Sequence, residues 1–156
     1  MIKLDNIDRA ILAELVDDSK FSVKKLADRL KVHPNTILQR AKRLENNRVV
    51  LRHTAIIDYS KLGYDLEALI FINVKMDTDW DTKLTGIARL PQVVLYLGLM
   101  GEYDAMALVR VKDRDELSEV LRKIETTGAV VKSTTYTVLY RRKQPYEFNP
   151  LKEKTK

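Results

Sequence analysis

The sequence predicts an α+β fold in which a small helical domain is followed by a domain built on one antiparallel sheet. Two observations support this class. Apolar residues of the first fifty positions recur at helical spacing, and from residue 67 onward apolar β-rich runs alternate with helical stretches in the order β-α-β-β-α-β. That order is typical of split βαβ domains. We expect an N-terminal domain over 1–48, a linking strand and hinge over 49–63, a second domain over 64–141 and a basic tail over 142–156.

The composition excludes several classes of protein. Hydrophobic residues make up 45% and charged residues 32% of the 156 positions, which is enough for packed cores and unlike a disordered chain. The absence of cysteine excludes disulfides, thiolate metal sites and a cysteine nucleophile. No apolar run is long enough to span a bilayer, and the N-terminus has no apolar core of signal-peptide length. We therefore expect a cytoplasmic globular protein with no membrane partner.

Positive charge is concentrated in two parts of the chain. Residues 20–52 contain ten Lys and Arg against two acids, and residues 141–156 contain six against two, whereas residues 61–140 contain ten against twelve. A segregated excess is the electrostatic footprint expected for a polyanionic partner, because neutralising phosphates releases counterions. Composition alone leaves a solvated charged face as the alternative.

Two short helices are predicted before residue 31. Asp5 is placed to cap the first, whose apolar residues recur at helical spacing as far as Leu15. Ser22 is placed to cap the second, and the narrow apolar stripe of that helix leaves Lys24 and Lys25 on the outside. Both helices therefore have one face suited to a shared core.

A third helix is predicted to begin at Pro34, because proline loses no hydrogen bond at the first helical position. Its predicted inner face consists of Ile37, Ala41 and Leu44. The predicted opposite side carries Asn35, Thr36, Gln39, Arg40 and Arg43. Three short helices with a tight second turn form a helix-turn-helix, whose last helix lies in the major groove of double-stranded DNA.

The polar residues of the third helix have the chemistry needed to read bases. Asn and Gln can pair two-point with adenine, and Arg with guanine. We predict base contacts from Asn35, Thr36, Gln39 and Arg40, and phosphate contacts from Lys24, Lys25, Lys42 and Arg43. The structural alternative is a surface helix of a three-helix bundle that binds no nucleic acid.

The two histidines do not predict a metal or catalytic site. Neither His33 nor His53 has another His, a Cys or paired carboxylates nearby at ligand spacing, so we predict no metal, no cofactor and no catalytic residue. His33 is placed to cap the third helix, with DNA contact as a second role. His53 lies in the β-rich segment 48–58 and is predicted to be a surface strand residue, with phosphate contact second.

Two motifs carry a family resemblance. The segment 32–45 (VHPNTILQRAKRLE), followed by 54–58 (TAIID), resembles the Lrp/AsnC family of feast/famine regulators of bacteria and archaea, and 101–104 (GEYD) resembles that family's Gly-x-x-Asp turn. The similarity runs from Leu4 to about Leu139, although His33 stands where the family often has serine and the tail has no counterpart. The resemblance implies a sequence-specific transcriptional regulator with a winged-helix-like helix-turn-helix and a ferredoxin-like (RAM- or ACT-like) second domain.

The elements of the second domain follow from periodicity and turn residues. A turn over 59–65 includes Gly63, which can adopt positive φ. Strands are predicted over 67–76, 93–99, 105–111 and 130–140, with helices over 79–90 and from Asp113 to Gly128. A sheet with helices on one face leaves its other apolar face to be covered, and pairing with a second copy is the simplest solution. We therefore expect a homodimer.

The resemblance also implies an effector. In the family, dimers form through the sheets and can assemble into tetramers or octamers, and amino acids or related metabolites bind between dimers. The family's effector region maps onto Gly98, Gly101, Tyr103, Asp104, Ser133, Thr135 and Thr137. The Asp104 carboxylate suits an amino group, and hydroxyls alternating along a strand suit a small polar ligand. The same residues also fit an ordinary strand and hairpin without a ligand.

Two other functions are compatible with the same pattern. Archaeal sirohaem decarboxylases resemble this two-domain family, but that chemistry predicts a histidine-assisted pocket, and both histidines of this chain lie in the DNA-binding half. An interaction module that binds amino acids without DNA is the third class, and the basic N-terminal half argues against it. The leading prediction is a regulator and not an enzyme, in which paired helix-turn-helix units read a palindromic operator.

Overall fold

The computed structural model describes residues 3–75 and 80–151, and these form two compact units. The first unit contains the described residues as far as Ile56 together with the segment that begins at Arg142, and the second runs from Ile57 to Arg141. The predicted basic tail is therefore packed with the N-terminal unit. None of the helices in these ranges is long and apolar enough to cross a membrane.

The N-terminal unit contains the three predicted helices. They are α1 (Asn6–Asp17), α2 (Val23–Leu30) and α3 (Pro34–Asn46). Asp5 caps α1 in a capping box and Ser22 caps α2, as the sequence predicts. The core of the unit is formed by Ile11, Leu12, Leu26, Ala27, Ile37 and Leu44. Tertiary packing of these stripes stabilises helices that are individually too short to persist in water.

The segment after α3 differs from its prediction. Residues 51–58 are exposed and form no strand, so the predicted linking strand and the wing are absent from the described part of this chain. A strand requires a hydrogen-bonding partner, and no described strand of the same chain pairs with this segment. A 3-10 helix, Tyr59–Leu62, follows and ends at Gly63, whose φ of 81° confirms the predicted turn.

The second unit is a four-stranded antiparallel sheet with two helices. Its elements are β1 (Leu66–Val74), α4 (Trp80–Ala88), β2 (Val93–Gly98), β3 (Ala105–Val111), α5 (Arg114–Glu125) and β4 (Val130–Thr137). The strand order β2-β3-β1-β4 confirms the predicted ferredoxin-like arrangement. The predicted last strand is too long, because pairing with β1 ends at Thr137. Met76, the predicted end of the first strand, and Asp79, the predicted start of the helix that follows, lie outside the described residues.

The two faces of the sheet have different environments. Alternate residues of β1, including Ala68, Ile70 and Ile72, are fully buried and pack with residues of α4 and α5. Phe71 lies on the opposite face, where its ring contacts those of Tyr103 and Tyr136 at centroid distances of 5.0 and 5.8 Å. One face is therefore the core and the other is a partly exposed apolar surface, as the dimer prediction requires.

The described part of the tail packs on α1. A 3-10 helix, Pro145–Glu147, is followed by Asn149, whose Nδ2 donates to the carbonyl oxygen of Ala13 and to Asp17 Oδ1, both at 2.9 Å. Leu151 packs against the core of the helical unit. The tail therefore adds hydrogen bonds to the C-terminal turn of α1.

Candidate nucleic-acid interface and ligand region

The outward face of α3 carries a polar strip. Asn35, Gln39 and Lys42 are exposed and recur at i, i+4 and i+7, so they lie along one side of the helix. Leu38 lies at one edge of this strip, beside Asn35 and Lys42, with 53% of its surface exposed. Ile37 and Leu44 are fully buried and Ala41 packs against the same core, which confirms the predicted inner face.

Arg40 and Arg43 do not share the outward face on which the sequence placed them. They lie on the edge of α3 that faces α1, where Arg43 Nη2 donates to Asp8 Oδ2 at 2.5 Å. Arg40 Nη1 lies 2.9 Å from Asp5 Oδ2 and 3.5 Å from Asp8 Oδ1. Asp8 is the one fully buried charged residue in the described ranges, and a buried carboxylate requires cationic partners. This requirement turns both arginines toward α1.

The N-terminal cap of α1 fixes these carboxylates. Asp5 Oδ1 accepts from the backbone N–H of Asp8, and Asp8 Oδ2 accepts from the backbone N–H of Asp5. The backbone hydrogen bond from Asp8, together with the nearby guanidinium of Arg40, lowers the pKa of Asp5 below its usual value. A local capping motif therefore presents two acidic groups to α3, and they define the ion-pair cluster Asp5–Asp8–Arg40–Arg43.

The remaining residues predicted to bind DNA lie in the same helical unit. Lys24 and Lys25 are exposed on α2, at the end capped by Ser22. His33 is exposed and its Nδ1 accepts from the backbone N–H of Asn35 at 3.2 Å, which confirms the predicted helix cap. Thr36 is half-buried beside the strip. His53, predicted to lie on a strand, instead lies in the segment 51–58, with its Nε2 atom 3.1 Å from Glu45 Oε1.

The Gly-x-x-Asp turn is tied to β1 in the second unit. Asp104 Oδ2 accepts from the backbone N–H of Val74 at 2.9 Å, at the point where the β1–β4 register shifts. The backbone N–H of Asp104 donates to the carbonyl oxygen of Ile72, and Gly101 has a φ of 150°. Asp104 therefore has a structural role, with one carboxylate oxygen already engaged.

The predicted effector residues are not gathered at one place in a single chain. Ser133, Thr135 and Thr137 pair with Ile72, Ile70 and Ala68, so they lie on the helix-covered face. Tyr103 contacts Phe71 on the opposite face, and Gly98 pairs with Ala105 at the far edge of β3. The Asp104 turn and β4 flank β1 on opposite sides, about 10 Å apart at two strand spacings.

The described residues of the two units form no evident metal centre. Within 3–75 and 80–151, no group of three or more His, Cys, Asp or Glu side chains is arranged to hold a metal ion.

Sequence reasoning missed two residues that matter for α3, namely Asp8 on α1 and Leu38 on α3 itself. Asp8 gave no local signal beyond its place in the cap, whereas Leu38 was detectable as an apolar residue outside the Ile37–Ala41–Leu44 stripe.

A helix-turn-helix with an exposed polar and basic strip, followed by a separate antiparallel sheet domain, defines the class of two-domain DNA-binding regulators. Residues 4–45 match the family model of the AsnC-type helix-turn-helix domain, and residues 67–148 match that of the Lrp/AsnC ligand binding domain. The chain therefore belongs to the Lrp/AsnC family, and it is a DNA-binding transcriptional regulator with a ligand-binding domain.

Individual relatives have the same organisation. An uncharacterized HTH-type transcriptional regulator of Pyrococcus furiosus is 30% identical over 149 residues, covering 96% of this chain and 100% of that protein. The structure of Escherichia coli AsnC is 26% identical with a TM-score of 0.85 and covers 92% of this chain and 97% of AsnC. A transcriptional regulator of Neisseria meningitidis, solved as a complex with L-Met, shares the fold with a TM-score of 0.85 at 24% identity, covering 91% of this chain and 94% of that one.

Proposed function

We propose that this regulator acts in the cytoplasm as a homodimer that reads a palindromic operator through the outward face of α3 and responds to an amino acid or related metabolite. The observation that supports DNA reading most directly is the exposed strip Asn35–Gln39–Lys42 on a helix docked through Asp8. A recognition helix must expose base-reading side chains and hold them in a fixed orientation. The exposed strip of α3 meets the first requirement, and the ion pair with Asp8 meets the second.

The residues of the interface take separate roles in this proposal. Asn35 and Gln39 contact base edges, because an amide group can pair two-point with adenine. Lys42 contacts phosphate, as do Lys24 and Lys25 on α2. Thr36 and His33 lie at the N-terminal turn of α3, where backbone N–H groups favour a phosphate.

The two arginines differ in how freely they can reach DNA. Arg43 is held by the buried carboxylate of Asp8 and keeps a structural role. Arg40 pairs with the half-exposed Asp5, and exposed ion pairs are worth only about 0–1 kcal/mol. A DNA phosphate or guanine can therefore replace Asp5 as the partner of Arg40.

Association through the second unit supports the symmetry of the proposed operator. The partly exposed apolar face that carries Phe71 and Tyr136 offers a surface for a second copy, and a two-fold contact would use the same patch on both copies. A two-fold dimer presents two recognition helices, so the half-sites are expected about one helical turn apart or a multiple of that distance. Tetramers or octamers of such dimers would extend the same arrangement.

The proposed effector site requires more than one chain. The predicted residues Gly98, Gly101, Tyr103 and Asp104 lie on the turn side of β1, and Ser133, Thr135 and Thr137 lie on β4. Residues separated in this way within one chain can meet across an interface between copies. A ligand bound there alters DNA binding by favouring one assembly over another, since equal affinity for both would shift nothing.

The test is a footprint of the purified protein on DNA upstream of its own gene, repeated over a salt series and with a panel of amino acids that includes L-Met. We expect a protected, roughly palindromic site, and binding that weakens steeply as salt rises. An amino acid that changes protection identifies the effector. Weak uniform retardation at low salt, with no protected site, would contradict the proposal.

A further inference from the structure

Leu38 is an exposed apolar side chain at one edge of the polar strip Asn35–Gln39–Lys42. It is 53% exposed, whereas the other apolar residues of α3 pack into the core of the helical unit. Among the described α-helical residues, Val16 at 40% exposure is the other exposed large hydrophobic. Val16 lies near the end of α1, so Leu38 is distinguished by its position beside the polar strip of α3.

The neighbours of Leu38 limit what its side chain can contact. Asn35 precedes it by three residues and Lys42 follows it by four, so all three project from the same side of the helix. Gln39 is its exposed neighbour in sequence. The side chain of Leu38 therefore lies beside an amide group and a cation. The major groove of DNA likewise presents mostly polar groups and few apolar ones.

The major groove of DNA contains one such apolar group, the C5-methyl of thymine. An adenine–thymine pair presents that methyl beside the adenine N6 and N7 atoms that Asn or Gln can pair with. Burying the methyl against a leucine removes apolar surface of both groups from water. The spacing of Leu38 from Asn35 and Gln39 therefore fits combined recognition of adenine edges and a thymine methyl.

We propose that Leu38 is a specificity-determining residue that contacts the C5-methyl group of a thymine in the operator. This inference rests on the proposed reading of DNA by α3. It specifies one base, thymine, and the methyl group of that base that is contacted. Leu38 contributes no hydrogen bond, so it discriminates between bases by apolar contact alone. A 5-methylcytosine at the same position would present the same methyl group.

The test removes only the methyl group. On the site protected by the intact protein, each thymine is replaced singly by deoxyuridine, and the Kd is measured for the wild type and for Leu38→Ala. We expect one thymine in each half-site at which the replacement weakens wild-type binding by about 3- to 10-fold, since one buried CH₂ is worth about 0.8 kcal/mol. Leu38→Ala is expected to bind the thymine and deoxyuridine operators equally.

Two controls isolate the contact. Val16→Ala removes the other exposed helical hydrophobic and should keep the full sensitivity to deoxyuridine. Leu38→Met keeps an apolar side chain of similar volume and should retain most of the sensitivity to deoxyuridine. Folding of Leu38→Ala is expected to be normal, because the residue is exposed and alanine favours helix.

The outcomes separate this inference from the proposed function. Specific binding with no sensitive thymine, or with the same sensitivity in Leu38→Ala, would overturn the role of Leu38 and leave the regulator proposal intact. Absence of any specific binding by the wild type would overturn both. Loss of sensitivity in Leu38→Ala alone, with Val16→Ala unchanged, supports the proposed contact.

Discussion

At the scale of single residues, Asp8 links the first helix to the recognition helix. Its carboxylate is fully buried and receives Arg43, with Arg40 close by. The hydrogen bond between Asp8 and the cap residue Asp5 restricts the position of the acid. The ion-pair cluster therefore fixes the orientation of α3 about its own axis, which determines the side chains it presents outward.

Removal of Asp8 is expected to destabilise the protein. Asp8→Ala leaves Arg43 without its carboxylate partner, and loss of a hydrogen bond to a charged group costs about 1.5–3 kcal/mol. Urea unfolding of the intact protein measures the effect. Asp28→Asn, an exposed carboxylate on α2, is the control and should change the free energy of unfolding by less than about 0.5 kcal/mol. Equal stability of Asp8→Ala and wild type would contradict this role.

Glu67 makes a pH-dependent contribution to the second unit. Burial raises the pKa of Glu67, but hydrogen bonds and charge from Arg110 and Arg141 outweigh burial and lower it below the usual value. A lowered folded-state pKa stabilises the fold above the unfolded pKa, and this contribution is lost as pH falls through the folded value. Glu67→Gln should therefore be less stable than wild type at neutral pH, with a difference that shrinks below about pH 4.

Unfolding midpoints in urea across a pH series check this prediction. Glu119→Gln, which changes an exposed glutamate on α5, is the matched control and should show little pH-dependent difference from wild type. If the stability difference between Glu67→Gln and wild type stayed constant from neutral to acidic pH, the ionised carboxylate of Glu67 would not be its cause.

The residue scale also shows what the sequence could and could not predict. The caps at Asp5, Ser22 and His33 were predictable, because each depends on atoms two or three positions away. The pairing of Asp8 with Arg43 spans 35 residues, and periodicity carries no information about such a contact. For that reason the sequence did not predict that Arg40 and Arg43 pair with carboxylates of α1.

At the scale of elements, strands were predictable where their partner lies in the same chain. β3 was predicted at its observed ends, since β1 and β2 pair with it on both sides. The segment 51–58 has strand-like residues but forms no strand, because β-propensity alone does not supply a hydrogen-bonding partner. The packing of the tail on α1 was also unpredicted, as its residues have no helical or strand periodicity.

The tail is expected to stabilise α1. Asn149→Ala removes hydrogen bonds to the Ala13 carbonyl and to Asp17, and should lower the free energy of unfolding by about 1 kcal/mol. Lys143→Ala, an exposed change in the same segment, is the control and should have little effect. Thermal or urea unfolding measures both variants. An Asn149→Ala protein as stable as wild type would mean that the tail contact contributes nothing.

At the scale of the whole molecule, two units with separate cores divide the function. One core is formed by α1–α3 and the other by the sheet with α4 and α5. Because the tail belongs to the first unit, the chain passes between the units twice, after Ile56 and after Arg141. The change of assembly that we propose for the ligand-binding domain would therefore have two covalent connections to the DNA-binding unit.

Base reading by the outward face of α3 is tested by comparing the DNA preferences of three proteins. Binding to the protected operator and to an unrelated DNA of equal length is compared for wild type, the double variant Asn35→Ala/Gln39→Ala, and Asn6→Ala, which changes an exposed asparagine in the first turn of α1. Each lost two-point contact is worth about 1–3 kcal/mol. We expect the double variant to lose at least about tenfold in preference for the operator but to keep its affinity for unrelated DNA, whereas Asn6→Ala should behave as wild type. An unchanged preference in the double variant would contradict base reading by this face.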